Sequence, residues 1–94
     1  MDTDEKVRLC QNMSDHLLVL RTMLRLSQAD LSKKIGVSRQ TIVAMETQKR
    51  PISWNVFLAL VLLFCKNPHT QLMLEIFGIY TKELDEYLRI EGDE

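Results

Sequence analysis

Ninety-four residues, 46% of them hydrophobic and only three of them glycine, suffice for one helical core. That excludes a disordered chain and leaves room for a single domain with at most a short appendage. The formal net charge of −1 argues against a nucleic-acid partner only until its distribution is followed along the chain.

Residues 1–12 are polar, acidic on balance, and read as a flexible or partly helical N-terminal arm with little claim on a minor groove. Asn12 or Ser14 is placed to cap a first firm helix running to about Leu24, with Met13, Leu17, Leu20 and Leu24 on one face at helical period. Arg21 falls at the edge of that face. His16 stands isolated, as does His69 later in the chain.

The stretch Ser27 to Glu46, S-Q-A-D-L-S-K-K-I-G-V-S-R-Q-T-I-V-A-M-E, predicts two short helices joined by a tight turn. Ser27 caps the first and Asp30 completes a capping box. Ala29, Leu31 and Ile35 share one side, while Lys33 and Lys34 face solvent. Gly36 supplies the left-handed backbone of a sharp reversal, and Val37 places a hydrophobe in the corner. Ser38 caps the second helix, whose inward stripe is Ile42 and Met45. Its other face carries Arg39, Gln40, Thr41, Val43 and Ala44, suited to probing base edges in a major groove.

After Glu46 come Thr47-Gln48-Lys49-Arg50-Pro51-Ile52, where either the helix runs on or Gln48 accepts left-handed strain. Pro51 ends it and Ser53 caps the next helix, W-N-V-F-L-A-L-V-L-L-F-C, which is apolar nearly all round. Such a helix must be covered on all sides, by the C-terminal segment, a second copy, or both. The run Val56 to Cys65 is too short to cross a bilayer, which needs about 20 residues. Asn67-Pro68 ends the helix. Thr70 is expected to cap a short helix from Gln71 to Phe77, Gly78 to break it, and Thr81 to cap a last amphipathic helix carrying Leu84, Tyr87 and Leu88. The terminal Glu91-Gly92-Asp93-Glu94 is expected to be loose. The expected division is therefore an arm at 1–12, a helix-turn-helix domain at 13–66, and a helical extension at 67–94 for dimerisation or a partner protein.

Charge follows the same division. Residues 1–20 carry −2, residues 66–94 carry −4, and residues 51–65 carry none. Residues 21–50 carry +5, from Arg21, Arg25, Lys33, Lys34, Arg39, Lys49 and Arg50 against Asp30 and Glu46. The cations thus sit on the helix-turn-helix segment, where phosphates would be met.

With its capped helices, glycine turn, closing Glu46 and following Lys49-Arg50, this segment resembles the Cro/repressor-type (xenobiotic-response-element) helix-turn-helix family over roughly Leu17 to Phe64. The resemblance implies an all-α fold: a bundle of about five to six short helices, a lambda-repressor-like DNA-binding domain with a C-terminal helical extension. It implies that Gln28 anchors a phosphate through its amide, and that Arg21 pairs with Glu46. It departs from the family at Thr47-Gln48, where Asn-Gly is common.

Ser27 and Gln28 lie at a helix N-terminus, which attracts phosphate. Arg39 is suited to the O6 and N7 edge of guanine and Gln40 to adenine, or either to phosphate. Thr41 and Ala44 suit a thymine methyl; Val43 does so too, or is a plain exposed hydrophobe. Ser38, Thr47, Lys49 and Arg50 are placed for the DNA backbone, which positions without specifying. Cys10 and Cys65 lack metal-ligand spacing and read as reduced thiols of a cytoplasmic protein, and no basic-then-apolar leader opens the chain. No nucleophile with a base, phosphate loop, metal site or cofactor motif is legible, so an enzyme is not expected. The reading is a sequence-specific double-stranded DNA-binding transcriptional regulator, a repressor acting as a homodimer on a palindromic operator. The competing reading is an antitoxin-type module whose C-terminal segment masks a partner protein.

Overall fold

Asp2, not Asn12 or Ser14, opens the first helix. In a computed structural model describing residues 1–90, its carboxylate accepts the Glu5 amide at 2.9 Å, and α1 then runs unbroken over Thr3–Met23. The stretch 3–12 is therefore the first half of α1 rather than an arm. Leu9, Met13, Leu17 and Leu20 recur at helical spacing and are fully buried. Ser14 lies within that stripe, where its hydroxyl donates to the Met45 carbonyl at 2.9 Å instead of capping. Asn12 likewise reaches across the molecule, its amide donating to the Gly78 carbonyl at 2.9 Å.

Helices α2 (Gln28–Ile35), α3 (Arg39–Glu46), α4 (Trp54–Cys65), α5 (Pro68–Ile76) and α6 (Lys82–Leu88) follow, with no strand among the described residues. Ser27, Ser38, Ser53 and Thr81 each accept the amide three residues on, closing the N-termini of α2, α3, α4 and α6. Helix α5 starts differently from its expected cap. Pro68 takes its first turn, where a missing N–H is harmless, and Asn67 makes no side-chain cap. Thr70 is fully buried, its hydroxyl donating to the Phe64 carbonyl at 2.7 Å and so tying α5 to the end of α4.

The C-termini share one device. Helices α1, α3 and α5 end with a left-handed residue, Arg25 (φ 58°), Gln48 (φ 61°) and Gly78 (φ 68°), and a pair of amides turned back onto the last turn. Gly36 (φ 78°) ends α2. At Arg25 and Gln48 a side chain occupies a conformation that favours glycine, at a cost of about 1 kcal/mol.

Helix α4 carries the centre of the core: Phe57, Leu60, Val61 and Phe64 are buried, and Trp54, Val56, Leu58 and Leu63 are half-buried. Among its large apolar side chains only Leu62 is mostly exposed, at 61%. The cover comes from α1, α2, α5 and the segment after α5. Ile79 and Leu84 are fully buried in the same core, and Trp54 meets the edge of Tyr87 with ring centroids 6.5 Å apart. Lys6 sits 5.2 Å from both rings, joining α1, α4 and α6. The C-terminal segment thus folds back over its own chain, and α4 needs no second copy to cover it. On α6 itself only Leu84 is buried; Tyr87 and Leu88 stay about half exposed. The loose end expected at residues 91–94 lies outside the described residues.

Candidate nucleic-acid interface

Helix α3 presents its polar first turn because Ile42 and Met45 are drawn into the core, at 0% and 1% exposure. Arg39 and Gln40, on the opposite side of the helix, are consequently exposed. Thr41, Val43 and Ala44 are half-buried on its flank. The Ser38 and Thr41 hydroxyls lie 2.9 Å apart, and Arg50 approaches the Thr41 hydroxyl at 3.4 Å, so the loop after α3 leans over its start.

Two helices hold that presentation. Arg21 on α1 donates to Glu46 at the end of α3, Nε to Oε2 at 2.6 Å and Nη2 to Oε1 at 3.1 Å, with side chains 11% and 6% exposed. Its remaining nitrogen, Nη1, donates to the Leu26 carbonyl at 2.8 Å. A fork satisfied on every arm fixes an angle as well as a distance. Ser14 adds the second link between α1 and α3 through the Met45 carbonyl.

Gln28 is more occupied than its expected phosphate role suggests. Its amide nitrogen donates to Glu46 Oε1 at 3.0 Å, and its amide oxygen accepts from Arg39 at 3.4 Å. A continuous chain of polar groups therefore runs from Arg21 through Glu46 and Gln28 to Arg39. None of these links was legible in the spacing, since residues 28, 39 and 46 meet only once Gly36 has reversed the chain.

Ser27 is consumed by its capping box, accepting the Asp30 amide at 2.9 Å and donating its own to Asp30 at 3.1 Å. The amides that follow it in the first turn of α2 have no intrahelical acceptor. Those hydrogen bonds hold the Asp30 carboxyl below the usual carboxylate range, the backbone amide of Ser27 contributing most. The Thr47 hydroxyl donates back to the Val43 carbonyl at 2.8 Å. Lys49 and Arg50 are exposed, as are Arg25, Lys33 and Lys34. With Arg21 and Glu46 neutralising one another internally, six exposed cations of residues 21–50 face one exposed carboxylate, Asp30.

Elsewhere, Cys10 and Cys65 are free, and burial pushes both thiols up. Among the described residues no three His, Cys, Asp or Glu side chains are placed to hold a metal ion, and no helix is long and apolar enough to cross a membrane.

A family profile described as helix-turn-helix matches residues 18–62. An uncharacterized HTH-type transcriptional regulator of Methanocaldococcus jannaschii is 51% identical over 37 residues, covering 39% of this chain and 56% of that relative. The chain thus matches little more than half the length of that curated relative. No solved structure matches the chain. The capped α2, the glycine reversal and the outward-facing α3 fall inside the matched span, so residues 18–62 are similar to the XRE-type helix-turn-helix family in sequence and in arrangement.

Proposed function

We propose that the protein is a sequence-specific double-stranded DNA-binding regulator of transcription, with α3 lying in the major groove. The observation that carries this reading is the exposed, capped first turn of α3 bearing Arg39 and Gln40, held by an internal ion pair on the cationic stretch of the chain. Arg39 reads guanine, and Gln40 adenine. Thr41, Val43 and Ala44 pack toward thymine methyls. Ser27, Gln28, Ser38, Thr47, Lys49 and Arg50 meet the DNA backbone, Gln28 by exchanging its bond to Arg39 for a phosphate.

An eight-residue helix contacts only a few base pairs, so two copies on half-sites about one helical turn apart supply the remaining selectivity. Exposed Leu72 and Ile76 on α5, at 70% and 72%, offer an apolar face for that pairing. Repression then needs nothing beyond occupancy of the operator, in the cytoplasm where the DNA lies. No small-molecule cofactor enters this account. Selection of bound duplexes from a random pool tests it: a shared palindromic sequence is expected. Recovery of unrelated sequences with no common half-site would refute it.

A further inference from the structure

We infer that Gln48 is a clasp, and that Gln11 and Asp15 of α1 act through it as positioning residues for the DNA-backbone contacts of Lys49 and Arg50. This inference rests on the proposed function. Three exposed side chains form a closed triangle. Gln11 Nε2 donates to Gln48 Oε1 at 2.8 Å and to Asp15 Oδ1 at 2.8 Å, and Gln48 Nε2 donates to Asp15 Oδ1 at 2.9 Å. Gln48 thereby uses both ends of its amide across sequence separations of 37 and 33 residues.

The location gives the triangle its consequence. Gln48 holds the left-handed corner that ends α3, a position where glycine would relieve the strain but could not reach α1. Of the other left-handed residues, Gly36 and Gly78 have no side chain, and Arg25 makes no side-chain hydrogen bond among the described residues. Only at this corner is a strained residue tied down, and it is the corner next to the expected phosphate-binding cations. The Lys49 and Arg50 amides both turn back to the Ala44 carbonyl, at 2.9 and 3.2 Å, so the direction in which the two side chains leave is set by the backbone of residue 48. Fixing that backbone in advance removes an ordering step from DNA binding.

A binding cycle on a random-sequence duplex tests this, since backbone contacts are indifferent to sequence. The variants are Gln48→Gly, which keeps the left-handed corner but loses the clasp, and Gln11→Ala, an exposed change to a better helix former. Asp15 is left in place, because removing its charge would itself strengthen binding to a polyanion. Each variant should melt no lower than the parent by more than a degree or so, yet bind roughly threefold to tenfold more weakly, with a shallower salt dependence. Combining them should add no further loss. In a Lys49→Ala, Arg50→Ala background, Gln48→Gly should change nothing. Binding by Gln48→Gly equal to the parent, losses that multiply in the double variant, or a full loss persisting without Lys49 and Arg50 would each overturn the clasp while leaving the DNA-binding reading intact. Absence of any salt-sensitive binding by the parent would overturn both.

Discussion

Glu46 accepts from three donors, Arg21 Nε, Arg21 Nη2 and Gln28 Nε2, while its side chain is only 6% exposed. Burying two charges offsets much of their attraction, so the pair adds little net stability as a unit. Deleting one partner is another matter, because the other charge stays behind. Glu46→Ala would leave the Arg21 guanidinium with the Leu26 carbonyl as its remaining acceptor, at a cost of about 3–5 kcal/mol. Arg25 is exposed and makes no such pair, so Arg25→Ala should cost well under 1 kcal/mol. Thermal melts of the two variants should therefore separate by more than about 10 °C. Equal melting temperatures would show that the pair does not hold α3 to α1.

Helix ends decide the behaviour of the elements. Asp30 is stabilised as a carboxylate by the Ser27 amide, and its native titration is shifted down from the usual carboxylate range. The stability it carries is complete above that range and is lost as pH falls through its lowered native value. Asp30→Asn should accordingly lower stability near neutrality and flatten the acid limb of a stability-versus-pH curve, the variant and parent curves converging at low pH. An unchanged acid limb would count against the capping box. At Gly36 nothing lies within 4 Å of an added Cβ, so the penalty of Gly36→Ala is conformational alone, about 1 kcal/mol. At Gly78 the added carbon would also meet Asn12 Nδ2 at 3.2 Å, so Gly78→Ala should melt lower than Gly36→Ala. The reverse order in differential scanning calorimetry would contradict the link between Asn12 and that corner.

These elements also show what a sequence can and cannot reveal. Ser27, Asp30, Gly36 and Ser38 were readable because capping and left-handed turns are settled within four residues. Asn12, Ser14 and Thr70 misled because each looks like a cap and spends its hydrogen bond on a distant carbonyl. The start of α1 was missed for the converse reason: Leu9 and Cys10 extend the apolar stripe, but charged neighbours mask it. The outward residues of α3 were legible from periodicity. The polar chain from Arg21 to Arg39 was legible only at Arg21 and Glu46, through family resemblance, since Gln28 joins them by tertiary contact alone.

The described residues span 41 × 28 × 23 Å with a radius of gyration of 13.2 Å, near the roughly 13 Å expected of one domain this size. Ile79 and Leu84 belong to the same core as α1 and α4, so Leu84→Ala should lower stability by about 2–5 kcal/mol rather than merely release a tail. The proposed pairing uses a different surface. Replacing Leu72 and Ile76 by lysine should leave the melting temperature of the single chain within a few degrees, because both are largely exposed. It should nevertheless abolish any dimer seen by sedimentation. A dimer unaffected by both changes would place the interface elsewhere.

The proposed division of labour between reading and anchoring can be measured directly by titrating a selected duplex and a random duplex over a range of salt, with Arg39→Ala and Lys49→Ala beside the parent chain. Arg39→Ala should weaken the selected site by about 1–3 kcal/mol and barely affect random DNA, whereas Lys49→Ala should weaken both and reduce the salt slope by about one unit. Equal weakening of both duplexes by Arg39→Ala, or association that ignores salt altogether, would contradict a reading helix tipped by Arg39 on a cationic surface.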